Sequence, residues 1–169
     1  MKWLKSIQKI IVTDTTCIGY LIQINCLNIL QIIYGEIIIP KAVYHEILPL
    51  ENKGFDLTEF KKASWIKIYS ANHLANMEEF NHILDIGELE AISIALELNA
   101  DLLIIDEKLG RIVATNIGFD ITGLVGVFIA AKKMNLIISV KDALDKVILL
   151  GCRISKKLYN TALKSCNEL

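Results

Sequence analysis

Residues 84–106 read LDIGELEAISIALELNADLLIID, and two periodicities meet in that one stretch. Over residues 87–99 the apolar positions Leu89, Ile92, Ala95 and Leu96 return at intervals of three and four or one turn on, the stripe of an amphipathic helix. From residue 101 the pattern changes to a nearly unbroken apolar run, DLLIID, as expected of a strand buried on both faces of a parallel sheet. A helix feeding directly into such a strand is half of a βαβ unit, so the segment predicts a layered α/β domain.

Both flanks repeat the theme. Residues 9–14 (KIIVTD) form a short β-branched run ending in an acid, with a helical pattern over 16–34 behind it. Residues 36–39 are a second run, stopped by Pro40, whose missing N–H suits the first turn of a helix over 41–48. The charged stretch 50–62, which contains Gly54, reads as a loop with a short helix, and 65–69 alternates as a strand. Beyond residue 106, a helix over 108–116, the run 119–122 and a helix over 124–134 add further steps. Residues 140–150 and 155–166 read as two helices joined at Gly151. No repeat or linker-like composition interrupts the pattern. The expectation is one three-layer α/β/α domain over residues 1–169 with a central, mainly parallel sheet, residues 140–169 packing on it as C-terminal helices.

Composition agrees. The 169 residues are 53% apolar, and isoleucine and leucine alone fill 52 positions, ample material for a single core. Glycine and proline together number 11, which excludes collagen-like, linker-rich and low-complexity classes. The 18 basic and 19 acidic side chains leave a net charge of −1 and no global surplus to attract phosphates. The balance is uneven along the chain: residues 1–100 carry 8 basic and 12 acidic groups, residues 101–169 carry 10 and 7.

Cys17, Cys26, Cys152 and Cys166 form no CxxC pair and no zinc spacing with His45, His73 and His82, so they read as reduced thiols of a cytoplasmic protein. The chain opens Met-Lys-Trp-Leu-Lys and reaches Asp14 before any apolar stretch long enough for a signal peptide. Residues 15–35 are 21 uncharged positions, the length of a membrane span, but Gln23, Asn25, Asn28 and Gln31 fall inside. Several amides in a single-pass helix are costly, so the reading is a buried helix with a polar stripe and no membrane.

Parallel α/β sheets gather their chemistry at the carboxyl ends of their strands. Asp14 and Asp106 each stand there, directly before a helical segment. Singly, each reads as a helix N-cap. Glu88 reads as a first-turn acid that complements the helix macrodipole, and Glu46, in PKAVYHEIL, as a solvated acid. Together, four carboxylates at one sheet edge would repel one another unless a cation sat among them. Oxygen ligands without a cysteine or histidine pattern favour magnesium or manganese. If the four acids hold such an ion, −1 becomes +3 for the remaining surface.

With these residues in place, the sequence resembles the PIN-domain family of metal-dependent ribonucleases, in particular the prokaryotic branch related to toxins of toxin–antitoxin pairs. The resemblance is carried by VTDTTCIGYL, by EIIIPKAVYHEIL, by LDIGELEAISIALELNADLLIIDEKLGRIVA and by DITGLVGVFIAAKKMNLI, and spans residues 10–163. It implies that Asp14, Glu46, Glu88 and Asp106, in that order, are the four catalytic, metal-binding acids. It also implies magnesium or manganese as cofactor, RNA as substrate, an antitoxin protein as partner and a homodimer, for which the uncharged region 18–33 is the candidate surface. The chain departs from the toxin pattern in having Glu at 88 where many have Asp, Ile at 104 for Thr, and Lys at 108 for a second Asp.

Supporting roles follow from chemistry. Thr15 or Thr16 could hold a ligand carboxylate or cap the helix start. Arg111 could clamp a phosphate or join a surface ion pair. Thr122 ends the next strand on the same edge, and Glu90 is a weaker candidate on another face of its helix. Lys132, Lys133, Lys156 and Lys157 read as solvated faces. His45–Glu46 begins no HExxH motif because position 49 is Pro, which excludes a zinc protease. A phosphotransferase with Asp14 as nucleophile lacks the DxD arrangement, since position 16 is Thr. The alternative of another class is the same fold as a non-catalytic nucleic-acid-binding or protein-interaction module, motivated by Lys108 and the absent basic surplus.

Overall fold

Val12 is fully buried at the centre of the sheet, and its neighbours show how the layers are built. The computed structural model describes residues 9–72, 80 and 82–169; the opening Met-Lys-Trp-Leu-Lys and His73 lie outside them. Among these residues five strands form one sheet: β1 (Ile11–Thr13), β2 (Ile37–Pro40), β3 (Ile66–Tyr69), β4 (Leu102–Ile104) and β5 (Ile121–Thr122). Their order is β3-β2-β1-β4-β5, every pairing parallel. In the centre, Ile11, Val12 and Thr13 pair with Leu102, Leu103 and Ile104.

Side chains alternate across the pleat, so each strand feeds two cores. Ile11, Ile37, Ile39 and Ile104 face one layer, built from α1 (Thr15–Gln23), α2 (Asn28–Tyr34), α3 (Lys41–Ile47), α7 (Leu124–Lys133), α8 (Val140–Leu149) and α9 (Lys156–Ser165). Val12, Leu103 and Ile105 face the other, where α5 (Ile86–Leu98) and α6 (Lys108–Ile117) pack. A 3-10 helix (Leu48–Lys53) and the short α4 (Thr58–Lys62) complete the elements. Val140, Leu144, Val147, Ala162 and Leu163 bring the last two helices into the same core as α7. The expected three-layer α/β/α plan is the one observed.

Several local expectations need correction. The single helix over 16–34 is two, because Asn25 adopts a left-handed backbone (φ 56°) between α1 and α2, a conformation asparagine tolerates better than most residues. The amides accordingly do not stripe one helix: Asn25, Asn28 and Gln31 are exposed, and Gln23 Nε2 donates to the Gly19 carbonyl at 3.0 Å. No helix of the described residues is long and apolar enough to cross a membrane. The region 18–33 is also a poor dimer surface, since Ile18, Leu21, Ile22, Leu27, Ile29 and Leu30 all lie in the core. Pro40 ends β2 and caps α3 instead of occupying its first turn. Leu96, placed on the apolar stripe of α5, is 40% exposed; that helix lies between β1, β2, β4, α3 and α6 and buries residues from nearly every face.

Candidate active site

From β1 the chain crosses outward to β2 and β3, then returns past β1 to β4 and β5, so the direction of winding reverses between β1 and β4. A crevice opens at such a reversal, outside the carboxyl ends of the two strands. Asp14 follows β1 and Asp106 lies just beyond β4. The Asp14 N–H donates to the Ile104 carbonyl at 3.0 Å, and Asp14 Oδ2 accepts from the Asp106 N–H at 3.2 Å, which ties the two strand ends together.

Asp14 is 2% exposed and also caps α1, its Oδ1 accepting from the Cys17 N–H at 3.5 Å. Burial, reinforced by the Asp106 carboxylate, pushes it up to about 8, against the pull of the backbone N–H groups of Asp106 and Cys17. Asp106 does not cap the helix that follows it. Both of its oxygens accept from the Leu124 N–H at the start of α7, each at 3.0 Å. Burial raises this carboxyl too, opposed by the Leu124 N–H and the neighbouring Arg111 guanidinium. Arg111 Nη1 donates to the Ile105 carbonyl at 2.7 Å, so its charge is fixed beside Asp106 and not in a surface ion pair.

Glu88 is 4% exposed and divides its oxygens between two roles. Oε2 accepts from the Asp85 N–H at 3.0 Å while Asp85 Oδ1 accepts from the Glu88 N–H at 2.8 Å, a reciprocal capping box at the start of α5. Oε1 is buried and has no hydrogen-bond partner. Burial raises this carboxyl to about 7, with the Asp85, Glu107 and Glu46 charges adding to it and the Asp85 N–H opposing. Glu46 is exposed, and Thr15 Oγ1 donates to its Oε2. Both lie over Gly87, where a Cβ would stand 3.2 Å from Glu46 Oε2 and 3.2 Å from Thr15 Oγ1.

The structure thus joins Asp14 to Asp106 by a hydrogen bond, sets Glu88 within electrostatic reach of both Asp14 and Glu46, and links Glu46 to Thr15. Thr16 and Asp106 line one cavity, and Thr122, Arg111 and Asp106 another. Glu90 stands apart: its Oε2 accepts from the Ala42 N–H at 3.1 Å and fastens α5 to the start of α3. Lys132, expected on a solvated face, bonds the Ile138 carbonyl and pairs with Glu168 at 3.2 Å. Among the described residues no three His, Cys, Asp or Glu side chains form a ready metal-binding group, and Asp14 and Asp106 accept from backbone N–H groups.

Sequence reasoning missed Asp85, although Asp-x-x-Glu before an apolar run is a legible capping signal. It also missed Gly110, where a Cβ would stand 2.9 Å from Glu88 Oε1, and Arg153, which lines the cavity beside Asp106 from 47 residues further along the chain. Nothing local marks either.

A family model described as a PIN domain matches residues 10–168. No curated protein matches the chain.

Proposed function

The chain belongs to the PIN-domain family, and from that premise we propose that it is a metal-dependent ribonuclease, hydrolysing RNA phosphodiester bonds at the crevice between β1 and β4, with Asp14, Glu46, Glu88 and Asp106 as ligands of magnesium or manganese. One observation carries the reading: Glu88 Oε1 is buried and unpartnered, on an acid within electrostatic reach of Asp14 and Glu46. An unsatisfied buried acceptor costs about 1–3 kcal/mol, and a bound cation would supply the missing partner. The donors fit such an ion, since all four are carboxylate oxygens, and burial raises the neighbouring Cys17 and Cys152 thiols, which disfavours their thiolate forms. Bound there, a divalent cation supplies Lewis-acid neutralisation of charge on the phosphodiester.

The chain's own groups support the same chemistry. Arg111 holds a positive charge beside Asp106 and faces the cavity that Thr122 lines, where a phosphate oxygen is its natural partner. Thr15 orients the Glu46 carboxylate from the start of α1. Glu88, raised to about 7 by burial, would hold a proton near neutral pH until a cation bound at Oε1 displaced it. The proposal extends to a toxin-like role with an antitoxin partner, and to a cytoplasmic homodimer, on the strength of the sequence resemblance.

Asp14→Asn and Asp106→Asn should each abolish manganese-dependent cleavage of single-stranded RNA, with the circular-dichroism spectrum retained. Cleavage by both variants at the parent's rate overturns the reading. The binding-only alternative takes the hydrogen bonds of Asp14 and Asp106 to backbone as their whole purpose, and calorimetric titration with manganese decides between the two. Saturable heat in the parent supports the nuclease; none supports the binding module.

A further inference from the structure

Glu107 stands between Asp106 and α6, in neither strand nor helix. Its backbone is that of an N-cap (φ −65°, ψ 135°) and its carbonyl accepts from the Arg111 N–H at 2.9 Å, but its side chain does not cap α6. Glutamate is not among the residues that cap well, so the helix start does not account for it. The residue is exposed, lines the cavity of about 410 Å³ beside Asp106, and takes part in no ion pair among the described residues. Glu88 Oε1, the buried oxygen without a partner, faces the same turn of α6: a Cβ on Gly110, three residues beyond Glu107, would stand 2.9 Å from it. Burial is the chief reason the Glu88 and Asp106 carboxyls are raised, but the Glu107 charge adds to both, and at Glu88 it counts for more than that of Glu46.

We propose that Glu107 is a fifth carboxylate of the cation site, an exposed arm that reaches an ion held at Glu88 Oε1 and Asp106. The inference rests on the proposed function for the ion itself; what it adds is a ligand outside the four acids. The free oxygens argue for it. Both Asp14 oxygens and both Asp106 oxygens accept from backbone N–H groups, Glu88 Oε2 is engaged in the capping box, and Glu46 Oε2 takes the Thr15 hydroxyl. Of the four acids, only Glu88 Oε1 and the second Glu46 oxygen remain without a donor among the described residues. Magnesium and manganese favour octahedral sets of oxygens, and Glu107 offers two more. The fixed acids form no ready group, so the site needs a ligand that can turn toward the ion, and an exposed glutamate with three side-chain torsions is one. The plain alternative is that Glu107 only complements the α6 macrodipole with its charge.

The test is calorimetric titration of the full chain with manganese chloride, beside thermal melts in EDTA. Glu107→Gln, which keeps the size and removes the charge, should weaken manganese binding by at least about 10-fold, the lower end of what disturbing a metal site costs, while the melting temperature in EDTA stays level or rises. Glu107→Asp keeps the charge and shortens the reach by one methylene, so a ligand loses affinity there too, whereas a dipole partner does not. Asp120→Asn, exposed at the amino end of β5 on the opposite edge of the sheet, removes the same charge and should bind manganese as the parent does. Parent-like affinity in either Glu107 variant overturns the proposal, the aspartate by showing that only charge is felt at the site. An equal loss in Asp120→Asn overturns it as well. The two readings fail separately: a parent that binds manganese through Glu107 but never cleaves RNA overturns the nuclease alone, and one that binds and cleaves equally well without Glu107 overturns this ligand alone. A parent with no saturable heat overturns both.

Discussion

At Gly110 and Gly19 the same substitution has opposite expected consequences. A Cβ on Gly110 would stand 2.6 Å from Ile105 Cδ1 and 2.9 Å from Glu88 Oε1, inside van der Waals contact with the acid whose free oxygen supports metal binding. Gly110→Ala should therefore cost about 1–3 kcal/mol of stability, as overpacking does, and displace Glu88, lowering manganese-dependent cleavage at least 10-fold. Gly19 sits within α1 with nothing inside 4 Å of the added carbon and no unusual backbone angle. Gly19→Ala should raise stability by roughly 0.5–1 kcal/mol by restricting the unfolded chain, with cleavage unchanged. Urea unfolding of the two variants beside the parent measures both signs. A stable, fully active Gly110→Ala would mean that Glu88 has room to spare and that its position is not set by the α6 backbone.

The start of α8 shows an acid held across the chain. Ser139 caps the helix from within, and Glu168 adds acceptors from 27 to 29 residues on: Oε1 takes the Val140 N–H at 2.9 Å, and Oε2 takes the Lys141 N–H at 2.8 Å and the Ser139 hydroxyl at 3.0 Å. Partial burial raises this carboxyl, but those donors and the Lys132 ammonium outweigh it and hold it at about 2, below its ordinary 4.5. A depressed acid contributes stability above its unfolded value and loses it as pH falls through the folded one. Glu168→Gln should thus cost about 1.5–3 kcal/mol at pH 7, the range for hydrogen bonds to a charged group, and the difference from the parent should fade as pH drops from 4.5 toward 2. Thermal melts at pH 7 and pH 3 check it, and an unchanged gap at pH 3 refutes the assignment. Such a clasp is invisible in sequence because neither end has a local signature. The strands, by contrast, were legible: DLLIID announces burial on both faces, and Asp14 and Asp106 are found by standing where apolar runs stop. The break at Asn25 was not, since the 15–35 stretch keeps its apolar content through a left-handed turn that one asparagine permits. Arg153 reaches the site only because α8 and α9 fold back onto α7, a consequence of core packing that no spacing encodes.

For the whole molecule, the acids at the crevice and the acid at α8 set opposing pH dependences. Asp14, ordinarily at 3.8, is raised to about 8, and Glu88, ordinarily at 4.5, to about 7. A raised acid keeps its proton in the folded state after the unfolded chain has released it, so stability falls as pH climbs from about 4 to 8. The slope is at most about 1.4 kcal/mol per pH unit for each group, and coupling between neighbours spreads it. Below 4.5 the Glu168 clasp weakens instead. In EDTA the melting temperature should therefore peak at mildly acidic pH and decline toward pH 8.5. Asp14→Asn should flatten that decline whatever it does to the absolute value. Manganese should flatten it in the parent as well, because an ion that binds the charged carboxylates stabilises most where the free protein is weakest. Calorimetric melts at half-unit intervals from pH 4.5 to 8.5, with and without manganese, read all three. A melting temperature indifferent to both pH and manganese would mean that the acids at the crevice are uncoupled caps. A decline that manganese removes in the parent and leaves untouched in Asp14→Asn would tie the cost of burying these carboxylates to the cation they are arranged to hold.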